Sequence, residues 1–146
     1  MTTYIRNGRF IDGPDLDFTP LSEIGPLEAA SGHLDVPSDT DPALITPYAK
    51  AFSVIRIDFP SSADGRGNSI ARALRNAGFK GTLVARGHVL ADQYPLALGS
   101  GFDAVEISKE QAARQPQWQW SDALKRTQRT YQDRLKSRAG DIRACA

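Results

Sequence analysis

The sequence predicts an α/β fold built on a parallel sheet of about four strand–helix units, because one pattern recurs along the chain. Three segments alternate apolar and charged positions as strands do: Val54–Phe59, Thr82–Gly87 and Phe102–Ser108. Each is followed by residues typical of a helix, and a shorter strand, His33–Val36, precedes them. Repeated alternation of strands and helices is typical of right-handed βαβ units and hence of a parallel sheet.

These strands predict a sheet with two chemically different faces. Successive side chains of a strand point to opposite faces, so one face is apolar and is the expected seat of the helices. The opposite face is charged near the carboxyl ends of neighbouring strands, where α/β proteins usually build their sites. The apolar set is Ile55, Ile57, Phe59, Leu83, Ala85, Val105 and Ile107, and the charged set is Arg56, Asp58, Arg86 and Glu106.

Capping residues, prolines and glycines predict the helix boundaries. Asp41 before Pro42 is typical of a helix start, and Pro47 predicts a kink or a break shortly afterwards. Glycine is the usual residue just beyond a helix end. The two later helices are expected from a cap at Asn68 or Ser69 to a stop at Gly78, with Ile70, Leu74 and Ala77 as the apolar stripe, and around Leu90–Leu98 with a stop at Gly99 or Gly101.

The two ends of the chain complete one predicted domain. Asn7-Gly8 between apolar residues predicts an N-terminal β-hairpin. A basic C-terminal helix is expected from Ser121, with Trp118 and Trp120 packed just before it. The expected parts of the single domain, residues 1–146, are the hairpin and an irregular connection (1–31), the βα core (32–115) and the C-terminal helix (116–146), whose apolar side would hold Leu124, Gln128, Tyr131 and Leu135.

Four βα units are half of an eight-unit barrel, so the sequence predicts a half-barrel or TIM-barrel-like sheet. Such a sheet leaves unpaired edges and a half-exposed polar face, which natural proteins avoid. Two arrangements would solve this problem. One is a homodimer that closes or stacks the sheet, and the other is an open sheet covered by the N-terminal hairpin and the C-terminal helix.

Composition excludes several classes of protein. At 146 residues, with 40% apolar and 24% charged residues, the chain has an ordinary globular composition and no apolar run long enough to span a membrane. Its single cysteine, Cys145, forms neither an internal disulfide nor a cysteine metal cage, so we expect a cytoplasmic protein. The charge is uneven, with a net −6 over residues 1–64, +3 over 65–120 and +4 over 121–146. This asymmetry favours self-association or an acidic protein partner over nucleic acid, for which no binding motif is present.

The loop over residues 60–69 is the first candidate site. Its two glycines, Gly65 and Gly67, permit close approach of a ligand to the backbone, and a helix N-terminus with Arg66 beside it suits an oxyanion such as phosphate, sulfate, sulfite or carboxylate. The alternative is a plain turn in which Asp64 pairs with Arg66 or Arg72. The expected anion-binding residues are Asp64, Gly65, Arg66, Gly67, Ser69 and Arg86.

The second candidate is the loop from Arg86 to Gln93 together with the charged face. His88 lies just beyond a strand end, where a general base would stand, although a solvated residue near a helix cap explains it equally. His88 and Asp92 give only two metal ligands without a third, so no metal is expected. Glu106 or Asp58 would be a general base beside arginines that hold an anion, or else the charged set forms an internal salt-bridge network. No flavin, haem, iron–sulfur or nicotinamide motif is present, so no cofactor is expected.

Several motifs of the central region resemble one bacterial family. They are Ile57-Asp58-Phe59-Pro60, Asp64-Gly65-Arg66-Gly67, Ser69-Ile70-Ala71-Arg72, Leu74-Arg75, Gly87-His88-Val89-Leu90-Ala91-Asp92-Gln93 and Gly101-Phe102-Asp103-Ala104-Val105-Glu106. Over residues 53–108 the chain resembles a domain-of-unknown-function family often labelled "oxidoreductase probably involved in sulfite reduction". The resemblance implies a place in assimilatory sulfur metabolism, with Asp64, Arg66, Asp92 and Gln93 at motif positions.

Two functions follow as expectations. The first is an accessory protein of assimilatory sulfate or sulfite reduction that acts with sulfite reductase or its electron donor. The second is a small TIM-barrel-like enzyme that acts on a sulfo, phospho or carboxylate substrate, with Asp58, Glu106 or His88 as catalytic candidates. The sequence does not decide whether the protein is an enzyme.

Overall fold

The computed structural model describes residues 2–13, 16–23 and 32–126. In these residues the strands are Thr2–Arg6 (β1), Arg9–Ile11 (β2), Thr19–Pro20 (β3), Gly32–Val36 (β4), Phe52–Phe59 (β5), Thr82–Gly87 (β6) and Ala104–Ser108 (β7). The helices are Arg66–Asn76 (α1), Tyr94–Ser100 (α2), Lys109–Arg114 (α3) and residues 117–126 (α4). Short 3-10 helices lie at Leu21–Glu23, Pro42–Leu44, Thr46–Ala51 and Ala91–Gln93.

The seven strands of the described residues form one sheet in the order β2-β1-β7-β6-β5-β4-β3. The pairs from β3 through β7 are parallel, as the strand–helix alternation predicts. The register places Ile57 beside Ala85 and Ala85 beside Val105, and all three are fully buried. The apolar face is therefore the one predicted, and it is covered by the helices. Each fully buried Ile, Leu or Val side chain contributes about 1.5–3 kcal/mol to folding.

The predicted N-terminal hairpin is confirmed, and the structure shows where it lies. Asn7 and Gly8 both have positive φ, 54° and 75°, as a two-residue hairpin turn requires. Strand β1 then pairs antiparallel with β7 and extends the parallel sheet. The Gly8 N–H donates to the Tyr94 hydroxyl at 3.1 Å, and the Ser121 hydroxyl donates to the Gly8 carbonyl at 2.6 Å. The turn is thus held by α2 and α4, contacts that join opposite ends of the chain.

Both edges of this sheet are protected against pairing with another chain. The N–H group of Phe10 in edge strand β2 donates to the Gln117 side-chain oxygen at 2.9 Å. The other edge strand, β3, has two residues, one of which is Pro20. Short edge strands, prolines and side-chain caps are standard ways of blocking edge-to-edge association.

The helix between β5 and β6 begins earlier than predicted. A cap at Asn68 or Ser69 is wrong, because α1 starts at Arg66 with Gly65 at the N-cap position. The Asp64 carboxylate accepts the Arg66 N–H at 3.1 Å and so replaces the expected cap. In the predicted stripe Ile70 and Leu74 are buried, whereas Ala77 lies beyond the helix and is exposed; the other buried positions of α1 are Gly67 and Ala71. Gly78, with φ of 95°, follows the helix end as predicted.

The other predicted helix boundaries are confirmed in part. Asp41 accepts the Ala43 N–H at 3.0 Å before Pro42, but the helix it caps is a short 3-10 helix, and a second 3-10 helix containing Pro47 follows. The helix expected around Leu90–Leu98 is a 3-10 turn followed by α2, because Pro95 favours a fresh helix start at Tyr94. Gly101, with φ of 114°, ends it. Helix α3 was not predicted, although its signal is present: Ser108 accepts the Gln111 N–H at 3.1 Å.

The C-terminal helix starts four residues before the predicted Ser121, directly after Pro116. The two tryptophans consequently lie inside α4 rather than before it. Trp120 is fully buried and packs edge-on against Tyr94 with ring centroids 5.5 Å apart, whereas Trp118 is 66% exposed. Leu124 packs against the core. The predicted positions Gln128, Tyr131 and Leu135, and Cys145, lie outside the described residues.

Arg75 joins two loops, the one between α1 and β6 and the one between α2 and β7, on the helix-covered side. Its guanidinium donates to the carbonyls of Phe79, Gly81 and Gly101 at 3.0, 2.8 and 3.0 Å. It also pairs with Asp103 at 2.7 Å, and Asp103 in turn accepts the Leu83 N–H at 2.9 Å. One side chain thereby bonds three carbonyls of residues that lie outside the helices and strands.

No helix among residues 2–13, 16–23 and 32–126 combines the length and apolar character needed to cross a lipid bilayer.

Candidate functional site

An ion-pair cluster lies on the polar face of the sheet and is built around Arg56. The Nε and Nη2 atoms of Arg56 each donate to an oxygen of Asp35 at 2.6 Å. Its Nη1 atom donates to Glu106 at 3.0 Å, across the intervening strand β6. The two contacts arise from sheet register, since Asp35 and Arg56 are paired positions of β4 and β5. We call Asp35, Arg56 and Glu106 the polar-face triad.

Glu106 is the most deeply buried member of the triad. Only 5% of the residue is exposed, and its second oxygen accepts the Thr2 hydroxyl at 2.8 Å. Arg86 approaches the same carboxylate at 3.8 Å but is about half-exposed. The antiparallel pairing of β1 with β7 sets Tyr4 directly beside Glu106. The carboxylate is therefore surrounded by donors from three strands.

The structure brings together three of the four residues of the predicted charged face. Arg56, Arg86 and Glu106 form the expected salt-bridge network. Asp58 is exposed, and no hydrogen bond or ion pair joins its side chain to another of the described residues. The network has further members that the sequence argument missed: Asp35, Thr2 and Tyr4. Asp35 was visible from the alternation of β4, whereas Thr2 and Tyr4 depend on the pairing of β1 with β7, for which the sequence has no local signal.

Burial and charge shift two titratable groups in this cluster. Burial alone would lower the pKa of Arg56, but the hydrogen bonds and charge of Asp35, with the charge of Glu106, outweigh it and raise the pKa. Burial, followed by the negative charge of Glu106, raises the pKa of Tyr4, while Arg56 opposes the shift. At neutral pH Arg56 is therefore a fixed cation and Tyr4 a neutral phenol that can donate and accept hydrogen bonds.

The loop between β5 and α1 contains a second ion pair, of which the arginine is exposed and the carboxylate largely covered. Arg66 donates to Asp64 from Nε at 3.0 Å and from Nη2 at 2.9 Å, and its Nη2 also reaches the Ser38 hydroxyl at 3.3 Å. The Arg66 side chain is 61% exposed. The hydrogen bonds from Arg66 lower the pKa of Asp64, so the carboxylate is charged at neutral pH. Of the alternatives for this loop, the Asp64–Arg66 pair is present in the structure.

The two candidate loops meet at the carboxyl ends of β5 and β6. The His88 N–H donates to the Phe59 carbonyl at 2.9 Å, and the Gln93 side chain donates to the Ser62 carbonyl at 2.6 Å. Between them lies a pocket of about 210 Å³ lined by both loops. Arg86 is not among the described residues that line it. The lining includes Ser61, Ser62, Asp64, Gly65, Asn68, His88, Gln93 and Leu96.

Asn68, near the start of α1, lines this pocket, whereas the neighbouring Gly67 does not. The Oδ1 atom of Asn68 is buried and has no hydrogen-bond partner among the described residues. Gly67 lies so close to the Phe59 ring that an added Cβ would be 2.5 Å from it, so a larger residue would displace the helix start. Asp92 and Ser69 are motif positions without a hydrogen bond from their side chains to other described residues. A buried amide without a partner is unusual in a folded protein and marks a place where a ligand or water group fits.

The described part of the chain contains no cluster of side chains that would form a metal-binding site. Nowhere in residues 2–13, 16–23 and 32–126 do three or more His, Cys, Asp or Glu side chains converge as a metal site would need. His88 and Asp92 are both exposed, and His33 packs against Phe18 with its ring nitrogen 3.3 Å from the Asp17 carbonyl.

Together, the sheet, its polar-face triad and the two loops define a mixed α/β protein with a mostly parallel sheet. The chain belongs to the family of bacterial proteins of unknown function DUF934, whose sequence profile matches residues 34–140. That match covers both loops and all three residues of the polar-face triad. No curated protein and no solved structure matches the chain.

Proposed function

We propose that this protein is an accessory component of assimilatory sulfate or sulfite reduction, which acts in the cytoplasm with sulfite reductase or its electron donor and binds an oxyanion at the Asp64–Ser69 loop. One observation supports the proposal most strongly. Two motif segments carry the sulfur-metabolism resemblance and are separated in sequence, but residues of both, Asp64 and Gly65 of the first and His88, Val89 and Gln93 of the second, line a single pocket. A shared pocket is the arrangement expected if both segments serve one ligand.

The loop offers an oxyanion three kinds of donor. Helix α1, of eleven residues, directs its first N–H groups and the positive end of its dipole toward the loop. Arg66 is exposed and contributes a cation. The Asn68 side chain presents an unsatisfied amide, whose NH2 group would face the pocket after rotation of the amide by half a turn.

Asp64 lowers the affinity of the loop for an oxyanion, because its carboxylate already accepts hydrogen bonds from the Nε and Nη2 atoms of Arg66. An incoming anion would have to compete with that carboxylate. We therefore expect weak binding of sulfite, sulfate or phosphate to the wild-type protein, on the order of millimolar.

The loop hypothesis is tested by titrating sulfite, sulfate and phosphate while following backbone amide shifts by NMR. Residues Gly65–Ser69 should shift, and Arg66→Lys, which keeps the charge but loses the fork, should weaken binding several-fold. Asp64→Asn should strengthen it, because the fork is released. Arg72→Lys, an exposed arginine on the same helix, is the matched control and should change nothing. Absence of any shift at Gly65–Ser69 would leave the loop as a turn closed by an ion pair.

The metabolic part of the proposal is tested in cells and by affinity capture. A deletion strain should grow poorly on sulfate or sulfite as sole sulfur source and normally on sulfide. Tagged protein should capture sulfite reductase or its electron donor from an extract of sulfate-grown cells, and much less from sulfide-grown cells. Equal growth of the deletion strain on all three sources would refute the role in sulfite reduction.

The second function, a small enzyme acting on an oxyanion-bearing substrate, is supported by the two exposed candidates at the strand ends. Asp58 and His88 are solvent-accessible, whereas Glu106 is held by Arg56 and Thr2. An enzyme of this kind would lose turnover in Asp58→Asn or His88→Gln while retaining anion binding at the loop. If the protein is an accessory protein instead, strains that carry either variant should grow on sulfate as the wild-type strain does.

We also propose a half-barrel sheet that associates as a homodimer. Because both edges of the sheet are blocked, by Gln117 and by Pro20, association would use the polar face rather than the edges. Light scattering at tens of micromolar, about the range in which weak dimers persist, should give twice the monomer mass. A monomer at that concentration would contradict the dimer without bearing on the anion loop.

A further inference from the structure

A pocket of about 420 Å³ lies where helix α3 meets the chain that follows the carboxyl ends of β5 and β6. Helix α3 itself follows β7, so the lining comes from the segments after three neighbouring parallel strands. In α/β sheets this end of the strands is where ligands bind, and the volume is within the range of small-molecule sites. We call it the strand-end pocket. It is lined by Ser62, His88, Leu90, Gln111, Arg114 and Gln115.

The charges that line the strand-end pocket do not cancel. Among the described residues that line it, Arg114 alone carries a permanent charge, and none is a carboxylate. Arg114 is exposed, and its guanidinium forms no hydrogen bond or ion pair with any residue of the ranges 2–13, 16–23 and 32–126, Glu110 one turn earlier in α3 included. The pocket therefore presents one unneutralised guanidinium, whose N–H fork matches one carboxylate.

Gln111 presents an unpartnered acceptor to the same pocket. The residue is only 7% exposed, and its Nε2 group donates to the Val89 carbonyl and to the Gln115 Oε1 atom. Because both acceptors are oxygens, rotation of the amide would bring oxygen against oxygen, so its orientation is fixed. The Gln111 Oε1 atom accepts no hydrogen bond from a described residue, yet it is not fully enclosed. Since Gln111 lines the pocket, this acceptor is reached through it.

Gln115 adds a donor beside the guanidinium. Its Oε1 atom accepts the Ala91 N–H at 3.1 Å as well as the Gln111 amide, and these two bonds fix its orientation in turn. The Nε2 group of Gln115 is left as a donor, and nothing in the described part of the chain accepts from it. The pocket thus offers a cation and an amide donor next to one buried acceptor.

Leu90 forms an apolar wall of the strand-end pocket. It is a large apolar residue that is 38% exposed, and its backbone N–H is already bonded to the Gln93 side chain at 3.0 Å. A hydrocarbon portion of a ligand that covered Leu90 would remove apolar surface from water, which is favourable.

We propose that the strand-end pocket binds a small 2-hydroxy acid, with its carboxylate on Arg114, its hydroxyl group donating to the Gln111 Oε1 atom and its hydrocarbon portion against Leu90. Gln115 donates a further hydrogen bond to the carboxylate. Gln111 and Arg114 are three residues apart in α3 and so lie on one face of the helix, as adjacent ligand groups require. A sulfate dianion would offer the acceptor no proton, and an ammonium ligand would meet an unneutralised cation.

This inference does not rest on the proposed oxyanion loop. The strand-end pocket shares Ser62 and His88 with the pocket between the two loops, but its cation and its free acceptor lie on α3. The cation of the loop, Arg66, is already paired with Asp64. The two proposals therefore fail separately, and different backbone amides report on each.

Three probes with the same hydrocarbon test the proposal by NMR titration of the full chain at neutral pH: 2-hydroxy-4-methylpentanoate, 4-methylpentanoate and 4-methylpentane-1,2-diol. The hydroxy acid should shift the backbone amides of Gln111, Arg114 and Gln115 and leave Gly65–Ser69 unmoved. The acid without the hydroxyl group should bind at least about threefold more weakly, and the uncharged diol at least about tenfold more weakly. The proposal is overturned if the diol binds as tightly as the hydroxy acid, if loss of the hydroxyl group changes nothing, or if no probe shifts these three amides.

Replacement of Arg114 assigns the carboxylate contact. Arg114→Gln keeps a hydrogen-bonding side chain but removes the charge, so it should weaken both acids by about tenfold or more and leave the diol unchanged. Lys109→Gln removes an equal charge from the same helix, at an exposed residue that does not line this pocket, and is the matched control that should change none of the affinities. Unchanged affinity of the hydroxy acid for a folded Arg114→Gln protein would overturn the assignment.

Replacement of Gln111 assigns the hydroxyl contact. In a folded Gln111→Met protein the two acids should bind equally, because the acceptor that distinguishes them is gone. A preference for the hydroxy acid that survives this change would overturn the role of Gln111. If loss of the bond to the Val89 carbonyl prevents folding, the ratio of the two acids on the wild-type chain decides the point.

Discussion

The polar-face triad and the Asp64–Arg66 loop contain the same chemical pair, a guanidinium that holds a carboxylate with two hydrogen bonds, in opposite surroundings. Arg56 pairs with Asp35, 21 residues earlier, at 2.6 Å, and its side chain is 13% exposed. Arg66 pairs with Asp64, two residues earlier, at 2.9 and 3.0 Å, and its side chain is 61% exposed, although that of Asp64 is only 11% exposed. The local pair follows from a turn, and the distant one from strand register.

This difference determines what each pair contributes. Exposed ion pairs are screened by water and salt and stabilise proteins little. In a buried pair, removal of one partner leaves an uncompensated charge in the interior, which is costly even when the intact pair adds little net stability. We infer that the triad fixes the register of the sheet, whereas the loop pair remains available for exchange with a ligand.

Replacement of Arg56 should have the largest effect on the free energy of unfolding, and it tests the comparison between the two ion pairs. Arg56→Met should lower the free energy of unfolding by about 3–5 kcal/mol, because Asp35 loses its ion-pair partner and the buried Glu106 keeps only the more distant Arg86. Arg66→Met, its matched control, should leave the urea midpoint unchanged within error. Combining Arg56→Met with Glu106→Leu should recover part of the loss. A similar urea midpoint for the two single variants would refute the distinction drawn between the two regions.

Replacement of Arg75 should have an intermediate effect on stability, since this side chain is partly buried and binds mainly backbone carbonyls. Arg75→Met should lower the free energy of unfolding by about 2–3 kcal/mol, because the carbonyls of Phe79, Gly81 and Gly101 lose a charged donor. Arg72→Met, on the same helix and exposed, should have no measurable effect. Urea unfolding followed by Trp120 fluorescence measures both. Equal midpoints would mean that water replaces the lost donors without cost.

The smallest effect concerns the phenol of Tyr4 beside Glu106. Since the folded protein raises the pKa of Tyr4, the folded state binds its proton more tightly than the unfolded state does. The contribution of Tyr4 to the free energy of unfolding is therefore fully present below the ordinary pKa of 10.0. It is lost as the pH rises above that value and through the raised pKa of the folded state. Tyr4→Phe should cost about 0.5–1.5 kcal/mol at neutral pH.

Urea unfolding at a series of pH values tests whether the pKa of Tyr4 is raised in the folded protein. Between pH 9 and 11, urea midpoints of Tyr4→Phe should fall less steeply than those of the wild-type protein. The residual slope of the variant should include Tyr94, whose pKa burial also raises. Identical slopes for the two proteins would show that Tyr4 is not shifted by burial and Glu106.

Much of the fold was determined by the sequence itself, because it depends on short-range physics. Alternation of side chains set the strands and faces of β4 to β7, so Ile57 and Val105 lie where the pattern places them. Asn7-Gly8 determined the hairpin turn, and Gly78 and Gly101 determined helix ends. The Asp64–Arg66 pair was equally predictable as an alternative, since the two residues are neighbours in one turn.

Tertiary structure alone decided what depends on distant partners. The pairing of β1 with β7 brings Thr2 and Tyr4 to Glu106 across more than a hundred residues, and no local pattern specifies it. The reach of Arg56 over β6 to Glu106 requires the strand order and register together. Helix α1 begins at Arg66 because Asp64 takes its first N–H, a competition between two polar side chains that propensities alone do not resolve. A pocket beside the triad has the same origin: its walls come from the N-terminal segment and its floor from Arg56 and Glu106 of the sheet, so only the folded chain forms it.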